Sequence, residues 1–436
     1  MSQNQGKKSS EVSFSRTDKV KVTAIMTLYA FLLGALSGSI VWAFLKVLEI
    51  GMDFFWTTLP EITGHISFYI LIVCSFGGIL IGLFQKKFGI YPDTMEEVFA
   101  KLKKNGTYDY HALPVILAAV LMPLFFGGSL GPEAGLTGII TCLCCAVGDH
   151  LKYSTEQIRD LAGSGITATL GIIFHAPLFG LVNDFEHPRK EERFYFAPKE
   201  FRAAKIVVYC AGIAGGLLSN HLLSSFFGGG MGLPRFTWNG WAKLSDWKWF
   251  PVLAACGIGL GLLYQLFGNL TRRLAKLMQD RRILSCLTAG LGLALLGIWN
   301  SRNLFSGESD LLNLTETWQT VPIALLLATA VTKLFCTNLC LSMGWKGGSI
   351  FPIIYCGTSL GYGLAALTGV LPIFSVAVCA ASCYGYIIRK PLTVTTVLFL
   401  CFPIRLVLPL IAAAYLASLI PAPASEPESR ADENRA

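Results

Sequence analysis

The sequence predicts an all-α protein that crosses a membrane many times, with interrupted helices arranged as an inverted repeat. Three observations carry this prediction. The composition is too apolar for a water-facing surface, apolar spans alternate with basic loops, and one glycine-rich pattern occurs twice.

The chain has 436 residues, of which 53% are hydrophobic and 14% charged. Its mean hydropathy is +0.57. Soluble domains carry about 25% charged residues, so this chain lacks the polar surface to cover its apolar content in water. The net charge of +8 does not point to nucleic acid, because the basic residues cluster in short loops between apolar spans. The thirteen cysteines lie mostly inside apolar segments, as do Cys142, Cys144 and Cys145. Cysteines so placed read as small apolar fillers rather than a disulfide framework. No second ligand pair accompanies them, and His175 and His187 stand far from other donors, so neither metal nor cofactor is expected.

Residues 1–21 are polar and basic, with Lys7, Lys8, Arg16, Lys19 and Lys21, and read as a cytoplasmic segment. The run from Val22 to Leu48 is too long for a signal-peptide core and reads as a first membrane helix. Further apolar spans fall near 66–84, 113–126, 135–148, 159–183, 204–224, 249–268, 283–299, 321–341, 350–368, 370–387 and 391–420. About 20 helical residues cross the hydrocarbon, so several suffice alone while others are short or broken by Gly and Pro. Broken helices at membrane depth must be buried in protein or beside a water-filled cavity, which favours a transporter or channel. Segments 85–104, 186–205 and 271–282 are rich in Lys and Arg, whereas 225–248 and 300–320 read as loops poorer in cations. The basic loops should be cytoplasmic, giving a multi-pass cell-membrane protein with its N-terminus inside. The tail 421–436 is rich in Pro, Ala, Ser and Glu and reads as disordered.

The repeat carries the functional signal. Gly127-Gly128-Ser129-Leu130-Gly131-Pro132 recurs as Gly347-Gly348-Ser349-Ile350-Phe351-Pro352. A Pro-Leu pair follows each some 40 residues later, at Pro177-Leu178 and Pro391-Leu392. Two membrane repeats are expected, over 22–225 and 226–420, with a binding site where their broken helices meet. Glycine permits close backbone approach, and proline in a first turn starts a helix without losing a hydrogen bond. Each segment thus reads as a loop entering a helix N-terminus, whose free N–H groups and roughly half-unit positive charge attract an anion.

These residues resemble the CLC chloride channel and transporter family. Gly128-Ser129-Leu130-Gly131-Pro132 is similar to its G-x-E-G-P signature, and Gly348-Ser349-Ile350-Phe351-Pro352 to G-x-F-x-P. Phe174-His175-Ala176-Pro177-Leu178-Phe179-Gly180 looks like F-N-A-P-L-x-G, and Ile388-Arg389-Lys390-Pro391-Leu392-Thr393 like I-R-x-P-L-T. The resemblance runs from about residue 24 to 416. It implies a homodimer in lipid with one chloride-type anion pathway per subunit. It also implies that the Ile350 and Phe351 amides hold the central anion, with those of Leu130 and Gly131 lining the outer path, and Gly128, Ser129, Gly348 and Ser349 shaping the site.

The departures bear on mechanism. Leu130 stands where the family's gating glutamate falls, and leucine can neither gate electrostatically nor carry a proton. Glu133, three residues on, reads either as a favourable charge at a helix N-terminus or as a displaced gate or proton carrier. The family's inner proton glutamate falls at or beside Glu186 and His187, which otherwise read as a cytoplasmic loop charge pair, and Thr94 is the candidate for its missing pore serine. The inner tyrosine has no clear match. Passive conduction of chloride or a similar anion is the expected activity. Its alternatives are a proton-coupled halide antiporter using Glu133 and a fluoride exporter. An enzyme is not expected, since no H-E-x-x-H or G-x-S-x-G spacing occurs. An organic-anion carrier would want a basic residue within the spans, and these are nearly free of them.

Overall fold

The computed structural model describes residues 16–64, 68–93, 108–150, 202–229 and 242–421, with a few single positions between them. Glu186, His187, Thr94 and the segments around His175 and Pro177 lie outside the described residues. The described chain is helical. In order come α1 (Arg16–Asp53), α2 (Tyr69–Phe88), α3 (Leu113–Phe125), α4 (Glu133–His150), α5 (Arg202–Phe227) and α6 (Phe250–Leu277). There follow α7 (Arg282–Trp299), α8 (Glu308–Thr317), α9 (Ile323–Ser342), α10 (Ile350–Thr368), α11 (Pro372–Ile388), α12 (Pro391–Cys401) and α13 (Val407–Leu419).

Six of the described helical stretches are long and apolar enough to cross a membrane. Large apolar side chains remain exposed on their outer faces, such as Leu32, Leu36 and Ile50 of α1, Ile72 and Phe76 of α2, and Leu295 and Ile298 of α7. Exposed apolar surface on this scale marks a face that meets lipid. By contrast α10 and α11 are buried along nearly their whole length, from Phe351 to Ala365 and from Ile373 to Tyr386. The apolar core therefore surrounds the second glycine-rich segment.

Without a hydrophobic drive between helices in lipid, packing depends on close approach of small residues. The α1–α5 pair shows this: a β-carbon on Gly34 would stand 1.9 Å from the Gly212 carbonyl oxygen.

Two expectations are corrected. The 300–320 segment is not simply a loop, because α8 occupies Glu308–Thr317. Its Glu308 and Asp310 sit in the first turn, where acidic charge favours a helix N-terminus. The 391–420 span is two helices, broken where Pro403 follows the extended Phe402. A proline in the interior removes a helical hydrogen bond and clashes with the preceding turn.

Candidate functional site

The two glycine-rich segments lie side by side. The Gly131 amide donates to the Gly348 carbonyl at 2.8 Å, and the Gly348 amide donates to the Gly131 carbonyl at 2.7 Å. This antiparallel bridge places the N-termini of α4 and α10 at one point. The loop from 126 to 132 is fixed by further backbone bonds, from Gly128 to Pro123 at 2.8 Å and from Leu130 to Gly128 at 2.8 Å. The Trp56 indole adds a bond to the Phe125 carbonyl at 2.8 Å. Across the site the Ser129 and Thr337 hydroxyls are 3.1 Å apart and buried.

Glu133 begins α4, yet its side chain crosses to the other helix. The Ile350 amide donates to Glu133 Oε1 at 2.8 Å. The Phe351 amide and the Glu133 amide also direct N–H groups at the carboxyl. One carboxyl thus joins the N-termini of two helices. The glycines make room for it. A β-carbon on Gly348 would fall 1.9 Å from Glu133 Cδ, and one on Gly131 would fall 1.9 Å from Glu133 Oε2. The repeated glycines clear a slot around this side chain as well as permitting the turn.

The carboxyl is held incompletely. Glu133 is 4% exposed, and its Oε2 has no hydrogen-bond partner. Leaving a buried polar oxygen unpaired costs about 1–3 kcal/mol. A favourable helix N-terminus contributes up to ~2 kcal/mol in partly buried geometry. These terms are comparable, so the unpaired oxygen offsets part of what the helix N-termini contribute. The amides beneath it already hold one negatively charged group.

Of the residues singled out from sequence, Gly131, Gly348, Ile350, Phe351 and Glu133 meet at this point. Ser349 precedes the first turn of α10. Leu130 is fully buried. Its amide and that of Gly131 are engaged by the Gly128 and Gly348 carbonyls. These two amides are therefore not free to line an outer path in this arrangement.

Three residues were missed by the sequence reading. The half-buried Tyr264 of α6 brings its hydroxyl to Ser349, at the head of α10. Glu308 is 3% exposed and its Oε2 is unpartnered. Lys333 is fully buried in α9. Its ammonium donates to the Arg302, Leu304 and Phe305 carbonyls at 2.8, 2.9 and 3.0 Å. These contacts exhaust the three donors of an ammonium. Among the described residues, no group of His, Cys, Asp or Glu is placed to hold a metal ion.

Comparison with known proteins agrees with the fold. Residues 77–422 match the family described as voltage gated chloride channel. A putative ion-transport protein YfeO from Salmonella newport (strain SL254) is 26% identical over 378 residues, covering 83% of this chain and 85% of the relative. Among solved structures, a CLC-type fluoride/proton antiporter superposes with a TM-score of 0.72 at 18% identity, covering 93% of this chain and 96% of that one. A slow cyanobacterial Cl−/H+ antiporter gives a TM-score of 0.70 at 16% identity, covering 90% and 94%. The chain belongs to the voltage gated chloride channel family, the CLC family of membrane anion transporters.

Proposed function

We propose that this chain exchanges a small halide, chloride or fluoride, for protons, with Glu133 as both gate and proton carrier. The observation that carries the reading is the Glu133 carboxyl seated on the Ile350 amide, where an anion would otherwise bind. An anion and a carboxylate compete for the same N–H donors, so each anion that enters displaces the side chain. Once off the amides, a carboxylate in a low-dielectric site is costly, and taking up a proton removes that cost. When the anion leaves, the acid gives up its proton and returns to the helix N-termini. Anion movement and proton movement are thereby linked through one side chain.

With Leu130 at the gate position the sequence alone favours passive conduction. The geometry supports coupling instead, because Glu133 reaches the anion donors from three residues further on. The Ser349 and Tyr264 hydroxyls complete the lining on the α6 side. Family membership supports a homodimer with a pathway in each subunit, and the basic loops support a cytoplasmic N-terminus.

The test is flux in liposomes carrying the purified full chain. An outward chloride or fluoride gradient should drive protons uphill, and Glu133→Gln should abolish that movement while removing the gate. Anion flux without any proton flux in the parent protein would return the reading to passive conduction. Competition among halides in the same vesicles ranks chloride against fluoride.

A further inference from the structure

We propose, resting on the reading of the α10 N-terminus as the anion site, that Arg272 collects the halide on the side of the basic 271–282 segment and hands it along one face of α6 to that site. Coupling to protons is not needed for this step.

Helical spacing sets the lane. Tyr264, Gly268 and Arg272 stand four residues apart on α6, so they share one face. At the deep end the Tyr264 hydroxyl meets Ser349, which directly precedes the Ile350 amide. Eight residues along, near the end of α6, Arg272 is exposed while Tyr264 is half-buried. The two levels differ by about 12 Å at 1.5 Å per residue.

Gly268 keeps the middle of this face open. A β-carbon there would fall 2.9 Å from Asn338 Oδ1 and 3.4 Å from Arg272 Nη1. The guanidinium therefore lies back over the glycine, in the direction of Tyr264, as long side chains on a helix do. Asn338 is buried in α9, and its amide nitrogen donates to the Leu334 carbonyl at 2.9 Å. The Thr271 and Ser342 hydroxyls, 2.8 Å apart, hold α6 against the end of α9. One wall of the lane is thus α6 and the other is α9.

A cation near a helix C-terminus also favours the helix itself. Arg272 serves its own turn by donating from Nη2 to Asn269 Oδ1 at 2.6 Å. That bond takes one of the five N–H donors of a guanidinium, and Nη1 lies instead at the gap over Gly268. Among the described residues no carboxylate pairs with Arg272. Its charge is left to attract a mobile anion and to repel cations. Being exposed, it binds the ion weakly enough to release it, as conduction requires. The Tyr264 and Ser349 hydroxyls are the next donors along the face, and the Ile350 amide follows them.

The experiment reconstitutes the full chain in liposomes and measures chloride or fluoride flux over a range of anion concentrations. Ionic strength is set with an impermeant salt at ~0.01 M and ~1 M, where the screening length is about 30 and 3 Å. For Arg272→Gln the apparent KM should rise about fivefold at low ionic strength, with the maximal rate kept to about twofold, and the difference should vanish at high ionic strength. Arg272→Lys keeps the charge and should keep the parent's KM. A parent-like KM in Arg272→Gln at low ionic strength would overturn the proposal. So would a rise that persists at high ionic strength or that Arg272→Lys shares, since either assigns Arg272 to structure. Should Arg272→Gln fail to fold, the parent decides, because a KM that does not rise with ionic strength removes the recruiting charge. A parent that moves halide without protons sinks the coupled reading and leaves this test intact, whereas a parent that moves no halide overturns both.

Discussion

Gly131 and Gly348 exchange both of their backbone hydrogen bonds, at 2.8 and 2.7 Å, and the Glu133 side chain threads the space that their missing side chains leave. The repeated glycines and the carboxyl form one device, since neither position tolerates a β-carbon while Glu133 is seated. Backbone pairing holds the two helix ends in register, and the carboxyl neutralises both.

Gly348→Ala should therefore unseat Glu133 without touching its chemistry. The added methyl would overlap Cδ at 1.9 Å and Oε1 at 2.0 Å. A carboxyl kept off the amides no longer competes with the anion. We predict faster anion flux and a proton-to-anion ratio lowered tenfold or more, read in liposomes. Unchanged coupling in a well-folded Gly348→Ala protein would contradict the seating of Glu133 as gate.

Much of this was legible in the sequence, and the rest was not for identifiable reasons. The duplicated glycine motif announced two helix N-termini, and Pro132 and Pro352 fixed where those helices begin. The sequence places Glu133 in a first turn, as a helix N-terminal charge or a displaced gate, and it stands in the first turn of α4. That it also reaches Ile350, 217 positions away, depends on how the repeats face each other, which no local pattern encodes. Tyr264 and Glu308 were missed for the same reason. Each lies on an element whose own sequence gives no sign of the α10 N-terminus. The helix α8 escaped because Glu308, Ser309, Asp310, Asn313 and Glu316 interleave with its leucines and make it resemble a polar loop. The break in 391–420 could have been read from Pro403, had the single long apolar run not outweighed it.

Tyr264→Phe should weaken anion binding rather than coupling. The hydroxyl meets Ser349, next to Ile350, and on the proposed reading its loss leaves one donor fewer. A net hydrogen bond is worth about 0.5–1.5 kcal/mol, which corresponds to a loss of roughly 2- to 13-fold in affinity. Isothermal titration with chloride or fluoride checks this. Affinity equal to the parent's would remove Tyr264 from the site.

Lys333→Met should cost stability before it costs function. The ammonium satisfies the Arg302, Leu304 and Phe305 carbonyls in a fully buried place. It also stands 5.0 Å from the Tyr355 ring centroid. Methionine fills the volume but donates nothing, so up to three buried carbonyls lose their partner at about 1–3 kcal/mol each. A fall in Tm of several degrees in detergent is expected, and a Tm within a degree of the parent's would count against the ammonium as the lock of this loop.

Gly290→Val tests whether the α2–α7 seam positions the second glycine loop. A β-carbon at Gly290 would lie 2.3 Å from the Cys74 carbonyl oxygen, and one at Gly78 would lie 2.6 Å from the Cys286 carbonyl oxygen. The same Cys286 carbonyl accepts from the buried Trp345 indole at 2.9 Å. Trp345 in turn stands just before Gly347 and Gly348, and a β-carbon on Gly128 would meet its ring at 3.1 Å. Separating α2 from α7 therefore shifts the support under both glycine loops. Overpacking a well-filled core costs about 1–3 kcal/mol, and more where the obstacle is backbone. We predict that Gly290→Val lowers the monodisperse yield and that any folded fraction loses anion affinity, whereas Gly259→Val, where a β-carbon meets nothing within 4 Å, leaves both at the parent's values. Equal affinity in the two variants would show that the seam supports the fold without positioning the site.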